Sequence, residues 1–115
     1  MRGIVSMKYM MFVATDAQPD ASGEKPGDIE QWFTETGDRW IAGDRLRPSS
    51  AAKTVRVRDG KVLVTDGPFA DSKEVIVGFD ILECASIEDA IAIAAKHPMA
   101  RVGRLELRPF WPIEE

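Results

Sequence analysis

Residues 53–65 read KTVRVRDGKVLVT, and the Asp59-Gly60 pair between two strand-like runs is the strongest short signal for a two-residue hairpin. Counting outward from that turn pairs Arg58 with Lys61, Val57 with Val62, Arg56 with Leu63 and Val55 with Val64. Directly paired residues share a face of the ribbon. Four valines therefore fall on one side and Arg56, Arg58 and Lys61 on the other, and the valine side reads as the core side.

The second hairpin strand runs into VTDGPFADSKE at 64–74. Asp66 can fold its carboxylate back on the backbone as an Asx-turn, Gly67 can take a positive φ, and Pro68 fixes its own φ while biasing Gly67 away from the helical region. One reading is structural: a wide, rigid connection with Phe69 pinned into the core, where burying a Phe gains roughly 1.5–3 kcal/mol. The other is functional. There the loop rims a pocket between sheet and helices, presents Asp66 as a base or hydrogen-bond acceptor with Lys73 as counter-charge, and lines a ligand site with Gly67, Pro68, Phe69, Lys73 and Glu74.

Beyond the loop, residues 74–83 read as a strand with Val75, Val77, Phe79 and Ile81 on one face and Ile76 and Leu82 on the other. Gly78 marks a bulge or a close backbone approach. Ser86, with Asp89 three residues on, caps a second helix whose buried stripe is Ile87, Ala90, Ile91 and Ala94. Pro98 stops it just after His97. Residues 103–108 alternate Leu105 and Leu107 against Arg104, Glu106 and Arg108, a last strand with one wet face.

Working back from the hairpin, MKYMMFVA at 7–14 suits a buried strand, with Tyr9, Met11 and Val13 opposite Met10, Phe12 and Ala14. Residues 16–27 are loop-forming. Asp28 and Gln31 resemble a capping box, and Ile29, Trp32, Phe33, Thr36 and Trp40 recur at helical spacing, predicting a helix over 28–42 that ends at Gly43. Trp32 and Trp40 then share one helix face and pack against the sheet.

Strand, helix, strand, strand, strand, helix, strand predicts an α+β domain, an antiparallel sheet with two helices on one face. Its other face keeps Met10, Phe12, Leu63, Ile76 and Leu82, too much apolar area for water, so a homodimer is expected to cover it unless the Phe110-Trp111 tail does.

The chain has 115 residues, 44% hydrophobic and 30% charged, with a net charge of −4, which suits one domain and gives no general attraction to nucleic acid or anionic membrane. Met1–Ser6 reads as an extension before a single domain over 7–115. Lys8, Asp16 and Asp80 interrupt the longest apolar runs, so no membrane helix is expected. A lone cysteine, Cys84, suits a reducing, cytoplasmic setting. GxGxxG, P-loop and GxSxG motifs and recognised metal-ligand spacings are absent, so no nucleotide, metal or other cofactor is expected.

His97 is the one side chain whose ordinary pKa lies near neutrality, which makes it the economical proton shuttle. Its competing role is an imidazolium that favours the helix C-terminus. Hydrogen-bond reach between His97 and Asp66 would assemble an acid/base pair.

MKYMMFV at 7–13, TVRVRDGKVLVTDGPFADSKEVIVGFDILE at 54–83, ASIEDAIAIAAKHP at 85–98 and GRLELRPF at 103–110 together resemble the YCII-related proteins, in particular the branch named for its Asp-Gly-Pro-Phe motif. The resemblance implies a ferredoxin-like fold that dimerises sheet to sheet as a dimeric α/β barrel. Smaller members carry a histidine near the start of the first helix, paired with an aspartate as an acid/base dyad, but Gly27–Phe33 contains no histidine. Two functions stay open: a small-molecule enzyme using Asp66 and His97 beside the 66–74 loop, and a non-catalytic dimer that binds a small ligand or a regulatory partner such as a sigma factor, a role the resemblance suggests.

Overall fold

The computed structural model describes residues 6–69 and 73–112, so most of the expected N-terminal extension and residues 70–72 of the 64–74 loop lie outside the described residues. In chain order the elements are β1 (Met7–Thr15), α1 (Ile29–Thr36), β2 (Trp40–Arg45), β3 (Lys53–Arg58), β4 (Lys61–Asp66), β5 (Ile76–Cys84), α2 (Ile87–Ala95), the short α3 (Met99–Val102) and β6 (Gly103–Pro109). The fold is α+β. Four strands form one antiparallel sheet in the order β2-β5-β1-β6, consistent with a ferredoxin-like arrangement, while β3 and β4 form a separate two-stranded sheet.

The hairpin register is the expected one, from Arg58↔Lys61 back to Val55↔Val64. Its destination differs. The hairpin does not join the main sheet, and Val55, Val57, Val62 and Val64 are 57–66% exposed instead of forming core. Alternation in a ribbon says that one face wants cover, not what covers it.

The helix expected over 28–42 is in fact a helix, a turn and a strand. Asp28 caps α1 by accepting the Glu30 N–H at 3.0 Å. Gly37, at φ 58°, ends it and returns its N–H to the Phe33 carbonyl, the role a glycine just past a helix commonly fills. A 3-10 turn over Gly37–Arg39 leads into β2, which pairs with β5 from Trp40↔Leu82 to Arg45↔Gly78. Trp32 and Trp40 therefore sit on different elements. Their eight-residue spacing, with Thr36 midway, mimics a helical stripe that the glycine interrupts.

Tyr9, Met11 and Val13 point into the core as expected, joined there by Trp32, Leu82, Cys84, Ala90, Ile93 and Ala94. The two faces of β5 are exchanged relative to expectation at their far end. Tyr9 pairs with Leu82, and Met10 with Ile81, so Leu82 faces the helices while Phe79 and Ile81 share the open face with Met10 and Phe12. A bulge makes both true at once. Val13 pairs with Gly78 but Ala14 pairs with Ile76, and the extra residue, Val77, turns toward the core. Gly78 thus marks an irregularity, as its position suggested. On α2, Ala90 and Ala94 are buried and Ile87 packs against the core as expected, but Ile93 is buried in place of Ile91, which is exposed, while Ser86 caps the helix by accepting the Asp89 N–H at 3.1 Å.

Candidate functional site

The 66–74 loop leaves β4 at the base of the hairpin. The Asp66 carboxylate pairs with Lys53 across the ribbon and its side chain is largely exposed. The Gly67 N–H donates to the Ala52 carbonyl at 2.8 Å with φ at 96°, and the Thr54 hydroxyl donates to the Gly67 carbonyl. Gly67 thus takes the positive φ that the sequence suggested, whereas the Asp66 carboxylate, expected to fold back on the backbone, engages Lys53. Phe69 is not pinned in the core: it is 90% exposed, and Pro68 and Lys73 are exposed too.

Past the loop, the Thr15 N–H donates to the Val75 carbonyl and the Val75 N–H to the Thr15 hydroxyl, both at 2.9 Å. Glu74 there lies 3.7 Å from the Arg104 guanidinium, which also donates to Asp16 at 3.0 Å. That bond and the Gln18 N–H hold the Asp16 carboxyl below the usual range.

His97 lies in another neighbourhood. It is buried after α2, its ring edge-on to Trp32 at 4.7 Å between centroids, and its Nδ1 accepts the Met99 N–H at 3.0 Å. Desolvation pulls its pKa down. The ring is thus a neutral acceptor carrying its proton on Nε2, not the imidazolium at a helix end that the sequence suggested. Asp66 and His97 share no partner among the described residues.

The most unusual titratable group is one that motif reading passed over. Asp80 stands in the middle of β5, on the helix-facing side, 7% exposed. Its Oδ1 accepts the Trp40 indole N–H at 2.8 Å. Burial raises its pKa, with the indole bond as the smaller opposing influence, and no cation contributes. A desolvated carboxyl without a counter-charge keeps its proton to higher pH than an ordinary aspartate.

The placement is built by two features of β2. Trp40 supplies the donor, and Gly43, paired with Asp80, supplies clearance, because a Cβ there would come within 2.4 Å of Asp80 Oδ1 and 2.6 Å of the Phe79 carbonyl oxygen. The available sequence signal was a single acid inside the apolar run VGFDILEC, at even spacing with buried Leu82 and Cys84.

Aromatic rings link Asp80 to His97. Trp40 packs edge-on against Phe33 at 5.3 Å, Phe33 against Trp32 at 5.2 Å, and Trp32 against His97. The Trp32 indole N–H also donates to the Ile93 carbonyl at 2.8 Å, tying α1 to α2. Beside this file, Trp32, Glu35, Thr36, Arg39, Asp89 and Lys96 border a groove of about 220 Å³ between the two helices. Arg39 donates to Asp89 at 2.8 Å and to the Thr36 and Glu35 carbonyls, so it closes the end of α1 and clamps it to α2 at once. Those bonds make the groove chiefly a helix-helix seam.

Among the described residues no three or more His, Cys, Asp or Glu side chains converge as metal ligands, and no helix is long and apolar enough to cross a membrane. Cys84 is buried and its thiol pKa is raised by desolvation, which makes it a poor nucleophile.

Comparison with known proteins adds two findings. A family model of the YCII-related domain matches residues 7–114. An uncharacterised protein of Rhizobium meliloti (strain 1021) is 42% identical over 67 residues, and the match takes in 56% of this chain and 54% of that protein, so the chain spans about half the relative's length.

Proposed function

This chain belongs to the YCII-related domain family, and from that premise we propose that it is a small-molecule enzyme whose acid/base group is Asp80. The observation that carries the reading is a carboxyl almost wholly removed from water, held by an indole N–H through one oxygen and balanced by no cation. An acid whose proton affinity is raised by its surroundings is suited to hand over or take up a proton at higher pH than an ordinary aspartate. With Oδ1 engaged by Trp40, Oδ2 is the oxygen left to carry the transferable proton. Phe33, partly exposed against Trp40, offers an apolar edge for the carbon skeleton of a substrate. The fitting substrate class is a small organic molecule with a carbonyl or hydroxyl oxygen to protonate. The neutral His97 ring supports the aromatic file from its far end, and the exposed Asp66 and Lys73 have no part in this reading.

The test starts without a substrate. Carbon-detected titration of the aspartate carboxyls should show Asp80 titrating above its fellows, and Asp80→Asn should remove that signal. Turnover, once a screen of small carbonyl and hydroxy acids finds it, should then fall at least about 100-fold in folded Asp80→Asn. An Asp80 that titrates with the ordinary aspartates, or an Asn variant with full activity, removes the reading.

A second reading, a non-catalytic module docking on a partner such as a sigma factor, draws support from the exposed valine face of the hairpin. Capture of such a factor that is lost on Val57→Asp, together with an ordinary Asp80 titration, would favour it.

A further inference from the structure

We propose that the polar face of the β3-β4 hairpin is a nucleic-acid contact, a ribbon that binds the phosphates of double-stranded DNA without regard to sequence. The net charge of −4 gives no general attraction to a polyanion, so such binding needs cations gathered in one place. They are gathered here. Residues 45–61 hold six of the 15 basic residues and one of the 19 acidic ones, a local charge of +5, while the other 9 basic and 18 acidic residues leave the rest of the chain at −9.

The hairpin register concentrates this charge further. Arg58 stands directly opposite Lys61, and Arg56, paired with Leu63, lies two residues back on the same side. The three cationic side chains therefore root within about 8 Å of one another. All three are exposed, and none joins the ion pairs among the described residues. Asp66 is engaged by Lys53 on the valine side, which leaves Asp59 in the turn as the arm's remaining acid. Like charges directly opposed on a ribbon destabilise it. An anionic backbone laid along this face relieves that repulsion.

The make-up of the face selects among anions. Its other residues are Thr54, Thr65 and Leu63, the last its one apolar side chain. Protein partners are anchored by desolvated aromatic and apolar side chains with charges at the rim, whereas here charges hold the centre. Arginine forks, lysine and hydroxyls are the groups that contact phosphate irrespective of sequence. No aromatic ring lies on the face to stack on an unpaired base, which favours a duplex over a single strand. A two-stranded ribbon is also an element that the major groove of B-form DNA, about 12 Å wide, admits.

The arm's reach keeps the acidic body out of the contact. β3 and β4 pair only with each other and have six residues each, a ribbon about 20 Å long with the three cations toward its turn. The Cα radius of gyration is 17.0 Å, against about 13 Å for a compact chain of this length, as an extended arm requires. At about 0.1 M salt, charges are screened beyond about 10 Å, so the body's negative charge does not cancel the attraction at the tip.

Fluorescence anisotropy of a labelled random-sequence duplex, titrated with the full chain, tests the proposal. Binding should appear at low salt and weaken with salt at a log-log slope of about −2.7 for each arm engaged, three phosphates per arm. Arg56→Gln with Arg58→Gln and Lys61→Gln should weaken it at least about 100-fold with circular dichroism unchanged. Lys8→Gln with Lys25→Gln and Lys96→Gln takes the net charge from −4 to −7 just as that variant does, yet should bind as the wild type. Asp59→Asn keeps the turn chemistry and should tighten binding several-fold. Absence of duplex binding at low salt overturns the proposal, as does an arm variant that keeps its affinity or a charge-matched variant that loses as much. Anionic vesicles or a poly-glutamate peptide that displace the duplex at lower charge concentration assign the face to a membrane or an acidic protein and overturn it equally. None of these outcomes bears on the titration of Asp80, so the two proposals fail separately.

Discussion

Gly43→Ala tests how the carboxyl of Asp80 is seated. The backbone at Gly43 needs no positive φ, so the cost of alanine is steric alone. Its Cβ would sit 2.4 Å from Asp80 Oδ1, 2.6 Å from the Phe79 carbonyl oxygen and 3.0 Å from the Asp80 Cα. A side-chain oxygen can swing away, but two of the three clashes are with the backbone of a central strand. Overpacking of this kind costs about 1–3 kcal/mol, and backbone contacts put this case near 3 kcal/mol. For a domain of this size that corresponds to a fall of roughly 10 °C in Tm.

Combining it with Asp80→Ala separates the two components. Removing the carboxylate relieves the closest contact but leaves the Phe79 oxygen in place, so the double variant should recover only about 1 kcal/mol relative to additivity. Urea unfolding followed by circular dichroism measures all four corners of the cycle. A Gly43→Ala protein within about 0.5 kcal/mol of wild type would mean that β2 and β5 are not held as close as described, and the seat of Asp80 would fall with that geometry.

Other expectations are more local. His97, with its pKa depressed from 6.5 by burial, takes up a proton more readily unfolded than folded; stability should be complete above about pH 6.5 and decline as pH falls toward the folded value, with a slope of at most about 1.4 kcal/mol per pH unit that His97→Gln abolishes. Asp80 has the opposite sign. Its pKa is raised from 3.8, so its ionisation should erode stability as pH rises past the unfolded value, and Asp80→Asn should unfold at higher urea than wild type at pH 7. Trp32→Phe keeps a ring but removes the donor to the Ile93 carbonyl, and should cost about 1–3 kcal/mol in the same unfolding assay. Ser86→Ala removes the cap of α2 and should cost about 1 kcal/mol, most of which Ser86→Gly restores.

Much of the fold was legible in the residues because local chemistry and tertiary placement agreed. Asp59-Gly60 set the hairpin register, Ser86 and Asp28 marked helix starts, and period-two alternation found the buried face of β1. Misreadings arose where two periods overlapped. Trp32, Thr36 and Trp40 keep a helical spacing while Gly37 breaks the helix between them, and that glycine was the available cue. The faces of β5 were assigned by continuing one alternation through Val77, where a bulge shifts the count by one residue. The candidate site was less legible. Asp66 and His97 drew notice by residue type and motif, whereas Asp80 owes its perturbation to burial without a counter-charge, against the smaller opposing pull of a donor from β2. Those are properties of pairing between strands distant in sequence, and no spacing along the chain records them.

The file of rings from Trp40 to His97 makes the protein its own optical probe. The Trp40 indole is bonded to the carboxyl of Asp80, and the Trp32 indole abuts His97, so the ionisations of Asp80 and His97 each act on the emission of a different intrinsic fluorophore. Trp111, almost wholly exposed, adds a red-shifted background that an aqueous quencher such as iodide can strip away. Proton uptake at either end of the file can then be followed without any attached label.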